Sequence, residues 1–101
     1  MAIGSFRHGW LRDFYVNDVR TRRIPHQIED VLFQKLQMLD AAASDQDLRS
    51  PPSNHFEKLS GKLSEFHSVR INRHWRLIFK WNRGTGEATE IDLDDHSYKA
   101  R

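Results

Sequence analysis

Hydrophobic positions along the chain change period once, and that change divides it into two halves. Ile3 to Arg7 is a short mixed run that reads as a first strand. Trp10, Leu11, Phe14 and Tyr15 then recur at helical spacing and predict a short amphipathic helix, followed by a polar, basic connection from Asn17 to Arg23. Pro25 stands where a helix accepts proline, at its first position. Ile28, Leu32, Leu36 and Leu39 follow at steps of four, four and three, with Glu29, Asp30, Gln34, Lys35 and Gln37 on the other side. This predicts a long helix from Pro25 to Ala43, with acids at its positive end. Ser44 followed by Asp47 marks a further short helical turn, and Pro51-Pro52 stops any helix there.

Beyond His55 the period becomes two. Phe66 to Asn72 places His67, Val69 and Ile71 on one face and Ser68, Arg70 and Asn72 on the other. His74 to Trp81 places Trp75, Leu77, Phe79 and Trp81 on one face and His74, Arg76, Ile78 and Lys80 on the other. Asn72-Arg73 reads as the turn between them, Asn82 to Gly86 as the next hairpin loop, and Ala88 to Leu93 as a last strand. Ser97 to Arg101 reads as a mobile tail. Helices first and an antiparallel meander afterwards define an α+β fold, with the helices packed on one face of the sheet. The aromatic face of Trp75 to Trp81 is expected to meet the long helix, leaving the face with Arg76 and Lys80 open.

A chain of 101 residues with no internal repeat, low-complexity run or linker reads as one domain, 1–101. Six Phe, three Trp and two Tyr supply core material, which argues against disorder. Absence of cysteine removes disulfides, thiolate metal sites and a cysteine nucleophile. No export signal or bilayer-length apolar run is seen, so the expectation is a cytoplasmic protein with no membrane partner. The net charge of +2 conceals an asymmetry. Residues 1–49 balance; residues 50–83 carry Lys58, Lys62, Arg70, Arg73, Arg76, Lys80 and Arg83 against Glu57 and Glu65; and residues 84–101 are acidic. The middle segment is where phosphate is expected to bind, a solvated basic face being the plain alternative.

Arg76 is the most pointed candidate. A mid-strand arginine beside large apolar neighbours is costly unless it meets an anion, and its planar fork suits a phosphate. Lys80 lies two steps along the same face. Asp94, Asp95 and His96 end the last strand, and Glu57, Lys58, Ser60 and Lys62 surround a turn at Gly61. A meander can bring these groups together. The plain alternative is that Arg76 pairs across strands with Glu90 or Asp92 and that His96 is a surface residue. The six histidines show no metal-ligand spacing, and the run Asp92, Asp94, Asp95, His96 reads more simply as a solvated strand end, so no metal site is expected. Gly84-Thr85-Gly86 is too short for a phosphate loop and precedes a strand.

Leu48-Arg49-Ser50-Pro51-Pro52, followed by Phe56-Glu57-Lys58-Leu59-Ser60-Gly61, resembles the HigB branch of the RelE/ParE toxin superfamily, in particular its GraT-like members. So do His67-Ser68-Val69-Arg70-Ile71-Asn72 and Trp75-Arg76-Leu77-Ile78-Phe79, the most specific part. Asp94-Asp95-His96 is similar to the family's closing Asp-Tyr-His. Ser5 to His8 and Lys35 to Ala43 match as well. The resemblance implies a microbial ribonuclease-type α+β fold. It implies metal-independent cleavage of mRNA in the ribosomal 30S A site, with no cofactor. It also implies neutralisation by a HigA-type helix-turn-helix antitoxin, through which the pair reaches operator DNA.

In that family the RNA 2′-hydroxyl attacks the adjacent phosphate, which explains a preference for RNA. The resemblance puts Arg76 on the transition-state charge, His96 on proton transfer, for which imidazole suits neutral pH, and Asp94 in an orienting or base role. Glu57, Lys58, Lys62, Arg70, Arg73 and Lys80 are the expected RNA and ribosome contacts. Two departures matter: Glu57 and Ser60 stand where some relatives have histidine and lysine, and Asp95 replaces the closing tyrosine, with Tyr98 the nearest stand-in. A slow or mild toxin is therefore expected. Two competing readings remain open: a ParE-like gyrase inhibitor on the same fold, without nuclease activity, and a degenerate relative that only binds antitoxin and DNA.

Overall fold

The computed structural model describes residues 2–95. Helix α1 is Gly9–Asn17, α2 is Glu29–Ala41 and α3 is Asp45–Arg49. Strands β1 (Glu57–Lys58), β2 (Phe66–Arg70), β3 (Arg76–Asn82) and β4 (Glu87–Asp94) form a four-stranded antiparallel meander in sequence order. The α+β expectation holds. No described helix is long and apolar enough to cross a membrane.

The two-residue alternation sorts side chains as the sequence implies. Val69, Ile71, Leu77, Phe79 and Trp81 join Leu11, Phe14, Leu32, Leu36 and Leu39 in the main core, between sheet and helices. Each large side chain fully buried there contributes roughly 1.5–3 kcal/mol, so the helix-facing side holds the layers together. The Trp81 indole also donates to Asp45 Oδ1 at 2.6 Å, tying β3 to α3.

Several boundaries differ from the expectation, for local reasons. The long helix starts later, because Pro25 precedes a short 3-10 turn, His26–Ile28, before α2. It ends at Ala41, where Ala42 turns extended and the Ala43 N–H is taken by Asp47 Oδ2 at 2.8 Å. The β2–β3 connection is longer than Asn72-Arg73. Asn72 Oδ1 accepts from the N–H groups of both His74 and Trp75 at 2.8 Å. The loop is closed outside them by Ile71 N–H to the Trp75 carbonyl at 2.9 Å. In the β3–β4 loop, Gly86 has φ +68°, and a Cβ there would stand 2.8 Å from the Ala43 carbonyl oxygen. Only glycine satisfies both.

Ile3 to Arg7 is a broken strand. It runs parallel to the outer edge of β4 with bridges Ile3–Ala88 and Phe6–Ile91. The break faces an irregularity in β4, where the register with β3 slips between Ile78 and Lys80. Glu90 there takes φ +50°, and its N–H donates to Ser5 Oγ at 2.9 Å. Such a bulge re-aims side chains.

Candidate active site

The sheet face away from the main helices carries the candidate residues in rungs, because directly paired residues share a face. Arg70, Arg76 and Asp94 form one rung across β2, β3 and β4. Glu57, Ser68, Ile78 and Asp92 form the next, across all four strands. Phe66 and Lys80 lie one rung further.

This face is not open at Arg76, contrary to expectation. Arg76 is only 3% exposed. On this face Leu59 and Leu63, which follow β1, pack with Phe66 and Ile78 in a second small core. An arginine buried this deeply needs partners for its donors. Nε donates to Ser68 Oγ at 3.2 Å, and Nη2 donates to the His55 carbonyl at 3.1 Å and Glu57 Oε1 at 3.2 Å. Pairing with Glu90 or Asp92 is thereby corrected. Glu90 holds Lys80 Nζ at 2.8 Å, and Asp92 lies 3.3 Å from His8 Nε2 and 3.9 Å from Arg7 Nη1.

The loop that supplies these partners is itself anchored. Asn54, fully buried, donates through Nδ2 to the carbonyls of Leu48 and Ser50 at 3.1 and 3.2 Å, and accepts from Lys35 of α2. Burial in that position lowers the Lys35 pKa. His55 takes φ +46°, which turns its carbonyl at the point where the chain enters β1.

The remaining candidates divide. Arg70 sits directly opposite Arg76, with Nε on the Asn72 carbonyl at 3.2 Å. Lys80 is half-exposed, bound by Glu90, with Glu65 at 3.8 Å and the Phe66 ring at 5.6 Å. Its pKa is raised, chiefly by the hydrogen bond to Glu90. Lys62 is exposed on the Gly61–Leu63 turn, and Arg73 is exposed in the β2–β3 loop. Lys58 pairs with His67, so it lies on the helix-side face, away from Arg76. Asp94 is half-buried beside Arg76 in register; Asp95 follows the strand end, and both make interactions of their own. His96 and Tyr98 lie outside the described residues, as does the tail from Ser97 to Arg101. Among the described residues no three His, Asp or Glu side chains group as a metal site would require.

Sequence reasoning missed Ser68 and the His55 carbonyl as holders of Arg76. The alternation already placed Ser68 on the Arg76 face and was the available signal; the carbonyl had none. Arg7 and His8 were also missed, since their link to Asp92 spans almost the whole chain.

A helix layer on a four-stranded antiparallel meander is consistent with a RelE-like toxin fold. The family model for the RelE-like toxin of the type II toxin–antitoxin system HigB matches residues 4–96. Toxin HigB-1 of Vibrio cholerae serotype O1 is 48% identical over 98 residues, covering 97% of this chain and 100% of that protein. An uncharacterised protein of Haemophilus influenzae is 40% identical over 93 residues, covering 92% of this chain and 90% of its own length. The chain belongs to the HigB-like toxin family, and is a toxin of a type II toxin–antitoxin system.

Proposed function

We propose that this toxin is a ribosome-dependent endoribonuclease that cuts translated mRNA in the 30S A site of the cytosol, without a metal or cofactor. A HigA-type antitoxin neutralises it and carries the pair to operator DNA. The observation that supports this most is the rung Arg70–Arg76–Asp94. It sets two arginines and a carboxylate side by side on one face, and a guanidinium fork fits phosphate oxygens.

In this reading the 2′-hydroxyl of the RNA attacks the adjacent phosphorus and the bond to the 5′-oxygen breaks. A 2′,3′-cyclic phosphate and a free 5′-hydroxyl result. One proton leaves the 2′-oxygen and one reaches the 5′-oxygen. Arg76, held in place by Ser68 and the His55 carbonyl, stabilises charge on the phosphorane. Asp94 orients the attacking hydroxyl or takes its proton, and His96 transfers the proton to the leaving oxygen. Arg70, Lys80, Lys62 and Arg73 hold the RNA and ribosomal phosphates. Glu57 sets the charge beside Arg76, and Lys58 reaches RNA from the neighbouring face.

The test is a primer-extension map of cellular mRNA after brief induction of the chain alone, with Arg76→Ala and His96→Ala in parallel. Discrete cuts inside translated frames, absent from both variants and absent when translation is blocked, are expected. Growth arrest with intact mRNA and gyrase-linked DNA damage would overturn the nuclease reading in favour of a ParE-like activity.

A further inference from the structure

The Arg7–His8–Trp10 cluster is not used by this mechanism, yet it borders the same sheet face. Arg7 N–H donates to the Ile91 carbonyl at 2.9 Å, which fixes the backbone along the outer edge of β4. His8 then occupies the N-cap position of α1, where a short polar side chain would ordinarily cap the helix. Its side chain makes no cap bond. It turns to Asp92, with Nε2 at 3.3 Å from Oδ1, and stacks on the Trp10 indole with centroids 5.2 Å apart and planes 11° from parallel.

Trp10 is half-buried against the main core, so the stack rests on a firm base. The His8 side chain remains 43% exposed and that of Arg7 48%. Asp92 lies two residues before Asp94 on the same face of β4, about 7 Å along the strand. That is close to the spacing of successive nucleotides in an extended single strand. Arg7 Nη1 lies 3.9 Å from Asp92 Oδ2, which places its charge beside the candidate-site face.

A flat ring with a fixed backing, an adjacent guanidinium, and one nucleotide step to the reactive rung are the elements of a base-stacking subsite. We propose that His8, backed by Trp10 and held by Asp92, stacks on the nucleobase next to the scissile phosphate, while Arg7 contacts that nucleotide's phosphate. The inference rests on the nuclease reading for its substrate, single-stranded RNA, and adds a subsite that sets base preference beside the cut. Its residues act through binding, not bond breaking.

The experiment compares wild type with His8→Ala, Arg7→Gln and Trp10→Phe, folding being checked by circular dichroism. One arm titrates an uncleavable 2′-O-methyl RNA hexamer into each purified protein. The other measures cleavage of ribosome-bound message. Expected is a loss of hexamer affinity of roughly tenfold for His8→Ala, a smaller loss for Arg7→Gln, and near-normal binding for Trp10→Phe, which keeps a backing ring. In the cleavage arm His8→Ala should raise KM, leave kcat near wild type and relax the base preference beside the cut. Unchanged hexamer affinity in His8→Ala and Arg7→Gln would overturn the subsite, as would a fall in kcat at constant KM. A wild type that binds the hexamer through His8 but cuts no message would overturn the nuclease reading while leaving the subsite standing.

Discussion

Arg76 of β3 and Glu57 of β1 are joined across the intervening β2, with Arg76 Nη2 3.2 Å from Glu57 Oε1, although one side chain is buried and the other half exposed. The pair sits where the proposed reaction needs the guanidinium to face a phosphate. The Glu57 carboxylate therefore holds Arg76 in place and also competes with the substrate for it.

Glu57→Gln separates these effects, since the amide oxygen still accepts the hydrogen bond while the charge is gone. A half-exposed charge interaction is worth about 0.5–1 kcal/mol, so KM for ribosome-bound message is expected to fall roughly two- to fivefold. Cleavage at saturation should stay near wild type. A collapse of the saturated rate would instead make Glu57 the proton acceptor.

Ser68 is a positioning residue. It is fully buried, and its Oγ accepts from Arg76 Nε. Ser68→Ala leaves a charged donor buried without that acceptor, at a cost of about 1.5–3 kcal/mol. Urea unfolding should show this loss, and kcat should fall more than KM rises because Arg76 loses one of its fixed bonds. Retained stability together with full kcat would show that the serine holds nothing of importance.

Tyr15 and Asp40 tie α1 to α2 through a hydrogen bond of 2.9 Å, and Asp40 Oδ1 is buried with no partner among the described residues. Burial and the Asp40 carboxylate push the Tyr15 pKa up from 10.0 to about 12. Its folded-state pKa is raised, so its contribution is complete below pH 10 and is lost as pH rises toward 12. Tyr15→Phe is expected to cost about 1 kcal/mol at neutral pH, the low end for a partly exposed bond. The difference between variant and wild type should shrink in alkaline urea titrations; a constant difference would remove Tyr15 as its source.

The alternation from Trp75 to Trp81 and the apolar stripe from Ile28 to Leu39 made the two layers legible in sequence, because each is a local pattern with one apolar face. The burial of Arg76 was not legible. It depends on the His55 carbonyl, Glu57 and Ser68 closing on its guanidinium, with Asn54 anchoring the chain just before β1. Nor was the choice of Glu57 over Glu90 or Asp92. That choice follows from strand register, which the bulge at Glu90 shifts, and Ser5 from the other end of the chain binds that bulge. Arg70, Arg76 and Asp94 were named individually from residue type and resemblance, but only the register shows that they share a rung.

His67 offers a pH test of the helix-side core. It is stacked on Phe56 with centroids 5.0 Å apart, and both ring nitrogens are buried without a hydrogen-bond partner among the described residues. Burial lowers its pKa below 6.5, and Arg83, Lys58 and Arg49 lower it further against the opposing pull of Asp45. Between the folded-state value and 6.5 the unfolded chain binds more protons than the folded one, so stability rises with pH there. The contribution is complete above pH 6.5 and is lost as pH falls toward the folded-state value. His67→Phe keeps the stack and removes the titrating group. It is expected to gain about 1 kcal/mol at neutral pH, by eliminating buried polar atoms, and to lose less stability than wild type between pH 7.5 and 5.5. Urea unfolding of both proteins at these two values decides the matter: equal losses would place the acid sensitivity on another histidine.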